Sequence, residues 1–206
     1  MLLTGLAPDP RRPDYRLVEL ERGRFASLRA ADLADLDLRI GAEISAQVFD
    51  RLQALADLEG AYRAGLRALA RRAHARFDLR RRLLQKQHPP ASVDGALERL
   101  AQQDLLDDAR FARDYASAKA SRGRGPSRLV RDLLSQGVAR RIAEDAVQTA
   151  LADDGVDPDA VVRAVAEKRA KQLASLPAPV RKRRLVAFLA RRGFQGPEVR
   201  TIVEAL

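Results

Sequence analysis

The sequence predicts a mainly α protein: three tandem three-helix repeats forming an elongated curved array, preceded by a small N-terminal β-containing module. Three observations carry this. From residue 61 onward every segment shows apolar residues at helical spacing. A Leu-x3-Leu pattern recurs at Leu79/Leu83, Leu129/Leu133 and Leu185/Leu189, at intervals of 50 and 56 residues. The first 60 residues instead carry short β-forming runs broken by turn residues. The expected organisation is a β-hairpin/helix module at 1–60, then repeats at 61–106, 107–155 and 156–206. The length of 206 residues allows one to two domains and a sizeable core.

In the N-terminal module, Arg11-Arg12-Pro13 closes a Pro-rich lead expected to be mobile. Tyr15–Leu20 alternates in part and reads as a strand. Glu21–Arg24 supplies a turn, and Phe25–Leu28 returns as a second strand. Ala31–Arg39 is expected to be helical, with Leu33, Leu36 and Ile40 at helical spacing and Gly41 as its stop. Ile44 is placed on a short third strand, and Gln47–Leu58 opens a helix.

In each repeat, a helix precedes the Leu-x3-Leu helix: Ala61–Ala73, Asp108–Ser121 and Asp159–Ser175. The paired leucines, four apart, stack on one helix face. Gly137 and Gly193 follow where a helix ends in a left-handed cap. Beyond each cap position a third helix shows apolar residues at matching offsets. These are Val93, Ala96, Leu97 and Leu100; Ala143, Ala146, Val147 and Ala150; and Val199, Ile202, Val203 and Leu206. The first repeat has Lys86-Gln87-His88-Pro89-Pro90 at the cap, so a Pro-terminated stop is expected there in place of a left-handed one. Repeats of this kind bury their apolar faces only by stacking on neighbours.

The composition narrows the chemistry. There is no Cys, which removes disulfides, thiol nucleophiles and Cys-ligated metal sites. The N-terminus lacks a signal-peptide pattern and no apolar run approaches 18 residues, so a soluble cytoplasmic protein without membrane contact is expected. The formal charge is +10, from 38 basic residues of which 33 are Arg. It is uneven: residues 1–60 sum to −3, and the three repeats to +6, +1 and +6. An Arg-rich codon bias accounts for Arg over Lys but not for charge that begins after residue 60. A polyanionic or acidic partner does.

No catalytic constellation emerges, and no cofactor or metal is expected. His74 and His88 lack metal-ligand spacing and read as exposed helix or turn residues. Gly123-Arg124-Gly125 contains G-x-G, but no Walker pattern occurs, so nucleotide hydrolysis is not expected. Asp107-Asp108 and Asp153-Asp154 lie at helix ends, where Asp107 or Asp108 serves better as an N-cap than as a cation ligand. The nine aromatic residues are not interleaved with Arg on a strand, which disfavours a stacking platform for single-stranded nucleic acid.

Three segments hold the dense positive charge. Arg71, Arg72, Arg76, Arg80, Arg81, Arg82 and Lys86 line the junction and second helix of the first repeat. Arg122, Arg124, Arg128 and Arg131 flank the Gly-Pro turn of the second. Arg181, Lys182, Arg183, Arg184, Arg191 and Arg192 lie on the matching helix of the third. Because the same helix is basic in all three copies, a phosphate- or carboxylate-facing surface is favoured over an indifferent solvated face.

Leu106-Asp107-Asp108-Ala109-Arg110-Phe111-Ala112-Arg113-Asp114-Tyr115 resembles the D-D-x-R-F-A-x-x-Y helix of the RecX family of recombination regulators. Arg122-Gly123-Arg124-Gly125-Pro126, followed by Leu129-x3-Leu133-x3-Gly137-Val138, is similar to that family's R-G-x-G-P signature and its continuation. Phe188-Leu189-x3-Gly193-Phe194 resembles its closing segment. The residues have their own logic: Phe111 and Tyr115 share a helix face, and Pro126 opens a helix where its missing N–H costs little.

The resemblance implies a non-enzymatic inhibitor of the RecA recombinase. It would bind RecA and its nucleoprotein filament, lie in the filament groove, and suppress strand exchange, ATPase and co-protease activity. DNA, single- or double-stranded and without sequence preference, is implied as a partner. The competing class is a helical DNA-binding protein of transcription-factor or nucleoid type acting without RecA. Against it, no basic helix shows an Asn/Gln-bearing base-reading face. A scaffold for acidic proteins is a third class.

Overall fold

The computed structural model describes residues 1–153 and 158–206. The Asp153-Asp154 carboxylate pair and the expected boundary at residues 155 and 156 lie outside what is described. The chain divides into two units: residues Met1–Arg72 with Leu79–Leu106, and residues Ala73–Asp78 with Asp107–Leu206.

The first unit opens with three antiparallel strands in the order β1 (Leu3–Asp9), β2 (Arg12–Leu20), β3 (Gly23–Arg29). The Tyr15–Leu20 strand, its turn and the returning strand stand as expected. The Pro-rich lead is not a mobile tail, however. It is β1, and Leu3 within it is fully buried. Its prolines are tolerated because Pro8 precedes a register shift on an edge strand, where a missing amide donor leaves no ladder bond unmade.

The helix expected over 31–39 is only the single turn α1 (Ala30–Leu33), and Ile40 is exposed. The chain leaves the helix to cover the free edge of β1. The Gly41 amide donates to the Leu3 carbonyl at 2.8 Å, and the Leu3 amide to Ala42 at 3.1 Å. No third strand forms at Ile44; its amide meets Met1, and an isolated bridge joins Leu2 to Glu43.

Ser45 caps α2 (Ala46–Leu69) through Val48, and this one 24-residue helix replaces the two expected between 47 and 73. Gly60 and Gly65 do not interrupt it. At Gly65 the reason for glycine is space, since a Cβ there would press on Leu100 Cδ1 at 2.8 Å. The N-terminal half of α2 packs Leu52 against Leu3, Val18, Leu20, Leu28 and Leu33. Its C-terminal half packs Ala61 and Ala64 against α3 (Arg76–Gln85) and α4 (Pro90–Gln102) through Leu79, Leu83, Val93, Leu97 and Leu100. Each such leucine contributes roughly 2–3 kcal/mol.

One buried carboxylate ties the sheet to these helices. Glu59 of α2 accepts from Arg12 of β2 at 2.9 Å, Arg63 at 3.2 Å and Arg99 of α4 at 3.0 Å, with the Tyr15 hydroxyl at 3.4 Å. Arg99 also donates to Tyr15 at 2.6 Å and lies 3.9 Å over the Tyr62 ring. A single buried anion facing three cations is tolerable only because all of these bonds are made.

The second unit comprises α5 (Asp108–Ala120), α6 (Pro126–Ser135), α7 (Arg140–Asp153), α8 (Pro158–Gln172), α9 (Ala178–Arg192) and α10 (Pro197–Glu204). Leu129 and Leu133 bury into one cluster with Phe111, Ala143 and Val147. Leu185 and Leu189 bury into another with Val162, Ala166, Val199 and Val203. Asp107 is the N-cap of α5, accepting from the amides of Ala109 and Arg110. Asp108 caps a different helix: its Oδ1 accepts the Arg76 amide at 2.7 Å, at the first residue of α3. The expectation of an exposed His74 is overturned. It is 3% exposed, with Nδ1 2.8 Å from Asp78 one turn later, because this stretch joins the second unit's core at Ala75. His88 is half-buried and faces Gly60.

All three Leu-x3-Leu helices end in one hydrogen-bonded cap. The amides of Gly137 and Val138 donate to Leu134 and Leu133 at 2.9 and 3.1 Å. Those of Gly193 and Phe194 donate to Ala190 and Leu189, both at 3.0 Å. The expected Pro-terminated stop of the first repeat is also this cap: Gln87, with φ +63°, and His88 donate to Leu84 and Leu83.

Gln87 carries its side chain into open solvent at this cap. At Gly137, in contrast, a Cβ would collide with the Phe77 side chain. At Gly193 it would collide with the Arg128 backbone amide. Gln87→Gly is therefore expected to stabilise by up to about 1 kcal/mol by relieving a left-handed side-chain residue. Gly193→Ala is expected to lose at least about 2 kcal/mol through overpacking and φ strain combined. Urea unfolding measures both; equal tolerance of alanine at positions 87 and 193 would contradict the close-approach account.

Candidate polyanion-binding surface

The seventeen basic residues singled out by sequence separate into those that hold the fold and those that face solvent. Within the first unit, Arg80 makes a two-pronged pair with Asp94 of α4, at 2.7 and 3.2 Å. Both side chains are substantially exposed, so the pair positions Arg80 more than it stabilises the unit. Arg71, Arg72, Arg81, Arg82 and Lys86 are exposed. Of these, the side chains of Arg71, Arg82 and Lys86 hold no hydrogen bond or ion pair among the described residues.

In the second unit, Arg76 is half-buried at the start of α3. The Gly-Pro turn is organised by Asp132 of α6. Its Oδ2 takes Nη1 of Arg124, and its Oδ1 lies 2.9 Å from Nε of Arg128. Tyr115 of α5 completes the cluster, donating to Asp132 at 3.3 Å and accepting from Arg124 at 3.1 Å. Burial and the Asp132 charge both push the Tyr115 phenol above its ordinary value, outweighing the opposing pull of Arg124. Arg124 and Arg128 are thus half-neutralised and held in place, while Arg122 and Arg131 stand exposed.

On α9 the division follows the helix axis. Arg181 and Lys182 donate to the backbone oxygens of Leu206 and Glu204, at 3.3 and 3.1 Å, and so satisfy carbonyls at the end of α10. Arg192 reaches the Gly123 carbonyl at 3.3 Å and lies 5.0 Å over the Phe188 ring. Arg183, Arg184 and Arg191 are exposed, and their side chains hold no hydrogen bond or ion pair among the described residues.

Of the arginines off the leucine stripe, Arg131, Arg184 and Arg192 are exposed and Arg80 and Arg128 half-buried. What sequence reasoning missed are the acidic partners. Asp132 carried a readable signal, lying four residues after Arg128 on one helix. Asp94 carried none, since its partner is on another helix. Exposed Arg110 and Arg113 of α5 add cations on a further helix of the second repeat. No described helix is long and apolar enough to cross a membrane.

Comparison with known proteins places the same three helical repeats in one family. Models for the first, second and third three-helix domains of RecX match residues 61–100, 107–147 and 157–203. The regulatory protein RecX of Halorhodospira halophila is 39% identical over 143 residues, covering 69% of this chain and 85% of that protein. That of Ectopseudomonas mendocina is 36% identical over 133 residues, covering 64% and 85%. A crystal structure of regulatory protein RecX shares the fold with a TM-score of 0.78, at 18% identity, over 98% of this chain and 97% of that one. RecX from Lactobacillus salivarius matches with a TM-score of 0.62, at 22% identity, over 73% and 96%.

The Asp132 cluster yields a spectroscopic test. Asp132→Asn removes a negative charge that disfavours the phenolate, so the Tyr115 titration should shift down in pH. Difference absorbance against Tyr115→Phe isolates this tyrosine; an unmoved midpoint contradicts the assigned contact.

Proposed function

The chain belongs to the RecX family of regulatory proteins, and from that premise we propose that it is a non-enzymatic, cytoplasmic inhibitor of the RecA recombinase. In this reading it binds RecA and RecA–DNA filaments, lies in the filament groove, and suppresses strand exchange, ATP hydrolysis and co-protease activity. The observation that carries the reading is the set of exposed cations, unpaired among the described residues, that recurs on the same helix of every repeat. They are Arg82 and Lys86 on or just beyond α3, Arg131 on α6, and Arg183, Arg184 and Arg191 on α9.

Guanidinium groups without internal partners carry counterions, and a phosphate backbone displaces these with a gain in entropy. The contacts would be to phosphate rather than base edges, giving binding to single- and double-stranded DNA without sequence preference. Cations distributed over three repeats favour an extended, repetitive partner over a compact one. In contrast, Arg124, Arg128, Arg181, Lys182 and Arg192 act chiefly by holding the surface in shape. Arg71, Arg72, Arg76, Arg80 and Arg81 extend the basic surface of the first repeat.

The test is RecA-catalysed ATP hydrolysis on single-stranded DNA with this protein titrated in. Inhibition is expected well below one copy per RecA subunit. A triple variant, Arg183→Glu, Arg184→Glu and Arg191→Glu, should need about tenfold more protein for the same inhibition, a loss of about 1.4 kcal/mol. Its helical circular dichroism should be unchanged. DNA binding with no effect on RecA would instead identify a helical DNA-binding protein that acts alone, and full inhibition by the triple variant would remove α9 from the contact surface.

A further inference from the structure

The N-terminal module, net acidic in sequence, nevertheless holds a basic cleft. A cavity of about 670 Å³ opens between the β1–β2 turn, β3 and α2, a size ordinary for ligand pockets. Four arginines line it (Arg11, Arg12, Arg24 and Arg63) against two carboxylates, Asp9 and Glu59.

The carboxylates are already engaged. Asp9 accepts the Ser27 hydroxyl at 2.6 Å and the Arg11 amide at 3.0 Å, and lies 3.7 Å from Nε of Arg12. The two bonds hold its carboxyl below the usual carboxylate range. Glu59 is held by Arg12, Arg63 and Arg99. Arg12 thereby commits Nη1 to Glu59 and pairs with Asp9 through charge, and Arg63 commits Nε and, to the Ser27 carbonyl, Nη2.

The charged side chains left open in the cleft are cations. Arg11 and Arg24 are exposed, and their guanidinium groups hold no hydrogen bond or ion pair among the described residues. Between them and α2 lie Leu17, Phe25, Ala26 and Ala56, an apolar wall.

We propose that this cleft is a docking site for an acidic peptide segment of a partner protein, with carboxylates on Arg11 and Arg24 and an apolar side chain on the Leu17/Phe25/Ala56 wall. A compact inorganic anion would leave the apolar wall uncovered and sit close to Asp9 and Glu59. An extended chain with spaced carboxylates satisfies both surfaces and keeps its charge at the rim. Bidentate Arg–carboxylate bonds give such a site orientation as well as attraction. The cleft is built from the β1–β2 turn, β2, β3 and α2 alone and does not depend on the role of the cations of α3, α6 and α9.

The test is fluorescence anisotropy with a short labelled peptide alternating Glu and Leu, its Gln-for-Glu analogue, and competition by inorganic phosphate and oligo(dT). The intact chain should bind the acidic peptide, and Arg11→Glu with Arg24→Glu should weaken binding at least about tenfold. The Gln analogue should bind as weakly, and Arg183→Glu with Arg184→Glu should have no effect. A photoreactive peptide should label residues 9–27 and 56–63. Arg24→Gln, which removes charge without reversing it, should weaken binding in part. Absence of peptide binding, labelling confined to the helical repeats, or displacement by phosphate or oligo(dT) at concentrations comparable to the peptide's would each overturn the assignment.

Discussion

A missing Cβ fixes how helices meet in the second unit. Where α6 and α9 end, the chain turns into the left-handed region at Gly137 and Gly193. Another helix start lands on the space a side chain would occupy: Phe77 on Gly137, the Arg128 backbone on Gly193. Gly125 completes the second contact, its amide donating to the Arg192 carbonyl at 2.8 Å and its Cα facing the Gly193 carbonyl. Two demands converge on Gly137 and Gly193, a positive φ and a close approach, and glycine alone meets both without strain. Gln87 meets only the first, at an exposed cap, and so departs from the pattern without losing the turn.

That geometry also sorts the charge. Bringing helix ends together leaves carbonyls and a few carboxylates that need cations, and particular arginines are spent on them: Arg192 on Gly123, Arg181 on Leu206, Arg124 and Arg128 on Asp132. The remainder stand in solvent on the same helices. A net charge of +10 therefore overstates the number of cations open to a partner and hides where they are. It hides the reverse case too. The N-terminal module sums to −3, yet its cleft presents Arg11 and Arg24, unpaired among the described residues, because the two acids that line it, Asp9 and Glu59, are buried and already engaged.

Periodicity made the repeats legible. The three leucine pairs and the apolar positions of the following helices are buried as their spacing implied, with Leu206 only partly covered, because helix burial is set locally by a 3.6-residue period. The N-terminal module was legible only in its second hairpin. Its first strand, the single-turn α1 and the length of α2 depend on pairing with distant chain: Leu3 with Leu20 and Ala42, Glu59 with Arg12 and Arg99. His74 was misplaced for the same reason: its partner Asp78 is local, but its neighbour Ala75 joins a core of Phe111, Leu129 and Val147 from other helices. At the candidate surface, sequence placed arginines on the outward faces but could not say which were committed, because Asp94 and the Gly123 carbonyl approach from other elements.

The claim on which the functional reading rests is that unpaired and paired arginines do different work. The salt dependence of affinity for a RecA–single-stranded DNA filament separates them, since each phosphate contact adds about 0.7–0.9 to the slope of log Kobs against log salt. Replacing Arg183, Arg184 and Arg191 by Gln should lower that slope by about two. Replacing Arg124 and Arg128 by Gln should lower stability and leave the slope unchanged. Equal slopes in both variants, or a fall only in the second, would contradict the division between arginines that build the surface and arginines that use it.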